Sequence, residues 1–259
     1  MAKNFQSIKS LPRDIIINLV TSLFVSALIS LIPWILAGKI RFSIVLFGVL
    51  IISIPYLLFT KYKRLFKLIK AGMDGYYYSF DLSENRNVFH ETQSTFCYLG
   101  ISSNSILEDF RKWTEESPLV NTYSFLLTNP ESSALKRQIA YEKGVSLDTN
   151  LSSLNTQLSQ AIEHEVETEK RRINSAIEVL KNLLPFKNGK LRIRFHNEFI
   201  PWWMYIVDDK KIYLGILERG KRGQDSPAMV ISKNPDFPSP FDPFKNTWDR
   251  MWADAGNDI

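Results

Sequence analysis

Two residue pairs have the types and spacing to ligate a metal or pass a proton: His90 beside Glu91, and His196 two places before Glu198. Metal centres need three or four converging ligands, and isolated His/Glu neighbours are common surface pairs. His164 lies in the polar stretch Glu163-His-Glu-Val-Glu-Thr-Glu169, which reads as solvated surface. There is no glycine-rich phosphate loop, no paired-cysteine motif and no Gly-x-Ser-x-Gly elbow. The single cysteine, Cys97, sits in Phe96-Cys97-Tyr98-Leu99 and reads as a buried strand residue rather than a reactive thiol. We therefore expect no catalytic residue of these types, no metal and no cofactor.

A different chemistry is suggested by Asn18, Ser22, Ser26 and Ser30, spaced four apart within the apolar run Ile15 to Ala37. Four-residue steps place all four on one face of an α-helix. Hydroxyls and an amide are unfavourable against lipid and are expected to face another helix or water. They line a pore or pack helices; the residues alone leave both open.

That run, 23 residues long, and a second of 19, Phe42 to Thr60, match the roughly 20 apolar residues needed to span a bilayer. The pattern predicts an uncleaved transmembrane hairpin with spans at about 15–37 and 42–60. Lys3, Lys9 and Arg13 precede it, Lys61, Lys63, Arg64, Lys67 and Lys70 follow it, and only Lys39 and Arg41 lie between. The excess of bases outside the link places both termini in the cytoplasm. The single cysteine suits a reducing compartment.

Charge divides along the same line. Residues 1–70 hold ten Lys and Arg and one acid, a net of +9, while the remainder carries −4 of the chain's total of +5. The five bases from Lys61 to Lys70 suit an anionic membrane surface. A domain at −4 is not a general nucleic-acid binder. A local basic surface for a partner is expected from Arg192, Arg194, Lys210, Lys211, Arg219, Lys221 and Arg222.

Residues 71–259 form the second part, with Gly72 and Gly75 marking the hinge. Strands are predicted at 95–101, 123–127, 191–195, 204–207 and 211–217, and helices at 105–114 and 241–252. A long amphipathic helix covers about 151–184, with leucine, isoleucine and valine at steps of three and four broken once, around Glu169, and ended by Pro185. Residues 226–243 read as a Pro-rich loop. Strands interleaved with helices predict a cytoplasmic α/β sandwich.

The order of elements over residues 95–252 resembles one half of the phospholipase D-like superfamily. Phe125-Leu-Leu-Thr-Asn-Pro-Glu131, with Arg137 downstream, is similar to that family's strand ending in a Leu-Leu-Asp-Pro type turn. Trp203-Met-Tyr-Ile-Val-Asp-Asp-Lys-Lys-Ile-Tyr-Leu-Gly215 resembles the strand-turn-strand that carries its signature, His-x-Lys, four residues, Asp. Counting back from Asp208 places Pro201 at the histidine position and Trp203 at the lysine position. The resemblance implies a nucleophilic histidine and a phosphate-binding lysine there; proline and tryptophan supply neither. The expectation is a phospholipase D-like fold without its catalysis.

A membrane hairpin joined to such a domain also resembles the two-transmembrane effectors of bacterial anti-phage systems, retrons included. That resemblance implies a homo-oligomer in the bacterial inner membrane that permeabilises the bilayer. Its trigger would be a regulatory partner, either a reverse transcriptase with its DNA-RNA product or a nucleotide signal. The alternatives are a membrane-anchored sensor or binding module for nucleotide, nucleic acid or protein, and a membrane-anchored phosphodiesterase or nuclease.

Overall fold

The computed structural model describes residues 67–259 apart from 79, 81, 117–121 and 222, together with residues 33, 36–38, 53, 54, 56 and 63. The chain divides into two compact units, Met1–Leu65 and Phe66–Ile259. In the first, the described residues are helical except for a turn at Ala37 and Gly38, where the Ala37 N–H donates to the Pro33 carbonyl. Asn18, Ser22, Ser26 and Ser30, and nearly all of both expected spans, lie outside the described residues. Among the described residues no helix is long and apolar enough to cross a membrane.

The second unit is built on a seven-stranded mixed sheet. Its strands are β1 (Met73–Tyr77), β2 (Thr95–Gly100), β3 (Thr122–Thr128), β4 (Leu191–His196), β5 (Trp202–Val207), β6 (Lys211–Ile216) and β7 (Ala228–Ser232). They lie in the order β1-β7-β6-β5-β2-β3-β4. β2, β3 and β4 are parallel, a pairing that needs a crossover connection between successive strands. These crossovers are α2 (Leu107–Glu116) after β2, and α3 (Ser133–Glu142), α4 (Thr156–Asn182) and the short α5 (Leu184–Lys187) after β3. β5, β6, β7 and β1 continue the other half of the sheet as antiparallel neighbours.

Side-chain alternation divides the core into two layers. Phe96, Tyr98, Phe125, Leu127, Ile193, Tyr205 and Val230 face α1 (Leu82–Glu91) and α2 to α4. Leu99, Leu126, Met204, Ile206, Ile212 and Ile231 face the other way, against Phe241, Trp248 and Met251 of α6 (Phe241–Asp254). α4 buries Ile162, Val166, Ile173, Ala176, Ile177 and Leu180 along one stripe. It starts where the Asn155 side chain accepts from the Leu158 N–H, a cap for one of the first-turn donors. A packed amphipathic helix is therefore what the long apolar periodicity encodes.

Two sequence expectations are corrected. Gly72 and Gly75 are not a hinge: Gly75 lies inside β1 beside a register shift, and Gly72, at φ +82°, would place a Cβ 2.2 Å from the Ser232 carbonyl oxygen. The Ser232 N–H donates to the Gly72 carbonyl at 2.7 Å, so this segment is tied to β7. The Pro-rich stretch 226–243 holds β7 itself, whose short apolar run is flanked by loop residues on both sides.

Candidate functional site

A cavity of about 370 Å³ opens at the carboxyl ends of β2 and β6, beside the first residues of β5. It lies beyond a parallel strand's carboxyl end, where α/β sheets place ligands. Its floor is aromatic. Phe80 lies 5.0 Å from Trp203, Trp203 5.2 Å from Tyr205, and Tyr205 5.5 Å from Tyr98, between ring centroids.

Two glycines make this floor possible. Gly215 pairs with Trp203 across the β5–β6 ladder, and a Cβ on it would lie 2.0 Å from the indole ring. Gly100 lies two residues along β2 from Tyr98, whose hydroxyl would be 2.3 Å from a carbon added there. Each ring lies across the backbone of a residue without a side chain, a recognised use of glycine in strands.

The polar groups of the floor are tied down. The Trp203 indole N–H donates to the Gly223 carbonyl at 3.0 Å, and the Tyr98 hydroxyl donates to the Ser102 carbonyl at 2.6 Å. The Tyr205 hydroxyl donates to Asn85 Oδ1 at 2.7 Å. Burial pushes the Tyr98 and Tyr205 phenols well above their usual range, and the negative charge of Glu169 adds to the rise at Tyr98. Both are neutral donors at any physiological pH.

One wall comes from α3 and α4. Glu169 accepts from Ser102 Oγ at 2.7 Å and from Arg172 Nη1 at 3.0 Å. Glu165 lies 3.7 Å from Arg172 and 3.2 Å from Lys143, and Glu142 completes the acidic side. Pro201 and Trp203, at the positions where the resemblance requires histidine and lysine, hold backbone and aromatic contacts here. The Pro201 carbonyl accepts from the Leu217 N–H at 2.9 Å.

Asp208, the aspartate from which the resemblance is counted, stands at the other end of β5, five residues and about 17 Å along the strand from Trp203. It closes the β5–β6 turn with Asp209, both at positive φ (52° and 54°), a conformation aspartate tolerates better than most residues. Its carboxylate accepts from the backbone N–H groups of Gln93 at 3.0 Å, Ser94 at 2.7 Å and Thr95 at 2.9 Å, and from Ser94 Oγ at 2.9 Å. Burial works to raise this carboxyl, and the Thr95, Ser94 and Gln93 bonds outweigh it and hold it below its usual range. Asp208 is a clamp between the β5–β6 turn and the start of β2. Asp208→Ala is expected to cost about 2 kcal/mol in chemical denaturation at pH 7, because hydrogen bonds to a charged acceptor contribute about 1.5–3 kcal/mol. Its folded-state carboxyl is depressed, so the stabilisation is present at neutral pH and lost as pH falls through the lowered value.

Of the seven bases expected to form a partner surface, the six that are described lie in three places. Arg194 lies over the Trp252 ring at 4.5 Å and Arg192 at 5.4 Å. Arg194 also pairs with Asp258 at 2.7 Å and donates to the Trp252 carbonyl, which fastens α6 and the C-terminal residues to the edge strand β4. Lys210 and Lys211 lie at the Asp208 end of β6, where Lys211 pairs with Glu91 at 2.7 Å. Arg219 and Lys221 follow the opposite end of β6, and Lys221 pairs with Glu218. Arg222 lies outside the described residues. Of the bases expected to face a membrane surface, Lys63, Lys67 and Lys70 are exposed on helical residues; Lys61 and Arg64 lie outside the described residues.

The remaining reactive candidates are dispersed. Cys97 is partly buried, and desolvation pushes its thiol up to about 12. His90 and Glu91 end α1, and Glu91 accepts from the Tyr213 hydroxyl and Lys211. Among the described residues no group of three His, Cys, Asp or Glu could hold a metal ion. The cavity residues Phe80, Tyr98, Ser102, Glu142, Glu165, Glu169 and Arg172 were not singled out by motif reasoning. One signal pointed there: the break in α4's apolar stripe falls at Glu169, whose side chain is only 12% exposed.

No protein-family model and no curated protein matches the chain. Among solved structures it is similar to Nuc, a phospholipase D family member from Salmonella typhimurium, at 12% identity over 68% of this chain and 88% of that one, with a TM-score of 0.37. It is also similar to TrmBL2, an archaeal chromatin protein, at 13% identity over 79% and 65%, with a TM-score of 0.39. A third similarity is to the phosphatidylserine synthase of Haemophilus influenzae Rd KW20, at 10% identity over 71% of this chain and 38% of that one, with a TM-score of 0.39. The chain thus spans less than two thirds of the latter two proteins. At these scores the likenesses carry no conclusion about activity.

Proposed function

We propose that the chain is a membrane-acting effector in which the Phe66–Ile259 unit is a phospholipase D-like scaffold that binds rather than catalyses, and the N-terminal hairpin carries the effect. The observation that supports this reading most is Trp203. At the position where a phosphate-binding lysine would stand, a neutral indole is hydrogen-bonded to Gly223 and seated on Gly215. Pro201 supplies no nucleophile either. The proposal places the protein in the bacterial inner membrane, oligomeric when active. The hairpin is restrained until a regulatory partner or signal engages the cytoplasmic unit, as in the two-transmembrane anti-phage effectors it resembles.

Expression without a restraining partner is expected to depolarise cells. Asn18→Leu combined with Ser26→Leu should abolish depolarisation while the protein still fractionates with membranes. Unchanged toxicity in that double variant overturns the hairpin's role. A chain lacking residues 1–65 that stayed toxic would instead favour a soluble enzymatic activity.

A further inference from the structure

We propose that residues 67–70 and the loop at 233–238 form one surface that docks on an anionic lipid bilayer, with Leu68, Ile69 and Phe237 entering the headgroup layer. This rests on the reading of residues 42–60 as a membrane span, and it adds a second point of contact, carried by the sheet unit itself.

Two segments distant in sequence are joined here. The Asn234 side-chain amide donates to the Lys70 carbonyl at 2.7 Å, and Lys70 Nζ lies 5.4 Å from the centre of the Phe237 ring. Leu68, Ile69 and Phe237 are each about half exposed, and Lys67 and Lys70 beside them are exposed as well. Apolar side chains held open to water among lysines are the composition of an interfacial segment, in which rings and aliphatic groups enter the acyl boundary while lysine stems reach the headgroups.

The loop is built to hold Phe237 in place. Pro235 and Pro238 restrict its backbone on both sides. The Asp236 N–H donates to Asn234 Oδ1 at 2.9 Å, and Ser239 Oγ donates to the Ser232 carbonyl at 3.0 Å. An aromatic ring on a braced loop loses little freedom when it is buried.

Charge and chain length select the bilayer as the occupant. From Lys61 to Lys70 there are five bases and no acid, and residues 233–240 add one of each, Lys233 and Asp236. Tyr62, Leu65, Phe66 and Ile69 recur at the spacing of an amphipathic helix. Leu68 follows Thr60 by eight residues, so even a fully extended chain holds it within about 28 Å of the end of the span, and a helix within about 12 Å. Lipid is therefore the surface always within reach.

The test uses full-length protein carrying Cys97→Ser and one fluorophore-labelled cysteine. It is reconstituted in vesicles of phosphatidylcholine and phosphatidylglycerol in equal parts, and in phosphatidylcholine alone. In the anionic vesicles a fluorophore at Phe237→Cys is expected to be quenched by lipid-borne spin label at least about threefold more than one at Lys181→Cys, on the exposed end of α4. Lys67→Gln combined with Lys70→Gln should lower the docked-to-free ratio about twenty-five-fold, since each lysine near an anionic surface contributes about fivefold. Raised salt should act in the same direction. Leu68→Cys reads the helical half of the surface and serves if Phe237→Cys fails to fold. Equal quenching at the loop and at α4, or equal quenching in neutral and anionic vesicles, overturns the proposal. So does a fluorophore shielded from aqueous iodide yet untouched by the lipid quencher, which assigns the surface to a protein contact. A chain stripped from the vesicles by alkaline carbonate overturns the span reading and the proposal with it, whereas a chain that resists stripping but keeps residue 237 in water overturns the docking alone.

Discussion

Gly215→Ala is expected to destabilise the Phe66–Ile259 unit by about 3 kcal/mol, the upper part of the range for overpacking a filled site. The added Cβ would lie 2.0 Å from Cε2 and 2.3 Å from Cζ2 and Nε1 of Trp203. These are rigid ring atoms and cannot step aside singly. The indole would have to swing out, losing its bond to the Gly223 carbonyl at 3.0 Å and its contacts with Phe80 and Tyr205. Trp203→Ala alone should cost a similar amount through lost burial. The double variant tests the mechanism: with no ring to displace, the added methyl has room, so its cost should fall about 2–3 kcal/mol short of the sum. Denaturant titration followed by tryptophan fluorescence measures this, and simple additivity would show that the two residues do not share one space.

Acidification should weaken the fold through His196. Its side chain is 5% exposed at the end of β4, with Nε2 3.3 Å from Thr128 Oγ1. Desolvation lowers its pKa to about 4, against a smaller opposing contribution from the Glu198 backbone. An unfolded histidine takes its proton near pH 6.5, so between those values the unfolded chain binds more protons than the folded one. Stability from this group is full above about pH 6.5 and declines as pH falls toward 4. Between pH 7 and pH 5 the loss should be about 2 kcal/mol. His196→Gln should remove that slope, whatever it does to stability at pH 7. Equal pH slopes in wild type and variant would assign the acid sensitivity elsewhere.

How much of this was legible in the sequence depended on whether a residue's neighbours lay along the chain or across the sheet. β2, β3, β4, β6 and α4 were readable because each carries a long apolar pattern of a single period. β5 was read two residues short, because Trp202 and Trp203 face opposite layers and continue no simple alternation with the loop before them. α1 and α3 were not recognised: their apolar positions are few, and they gain their stability from the layer they cover rather than from propensity. β7 was hidden between proline-rich stretches and is held as a strand by β6 and β1 on either side. The cavity was the least readable part. Its parts come from β2, β5, α1, α3, α4 and three connections between elements, and only Glu169, an acid in an apolar stripe, marked it.

Asp208 serves the β5–β6 turn and the start of β2, and losing it would strand three backbone donors.

β1 has a mechanical consequence. The chain leaves helical residues 67–70 and enters β1 within three residues, with Gly72 bound to Ser232 and the Lys70 carbonyl held by Asn234 at 2.7 Å. β1 is an outermost strand, bonded on one side only, to β7. Tension applied to the chain at residue 67 is therefore in series with the β1–β7 ladder. A pull from that side would be felt first as peeling of a single edge strand, while the parallel centre of the sheet stays unloaded.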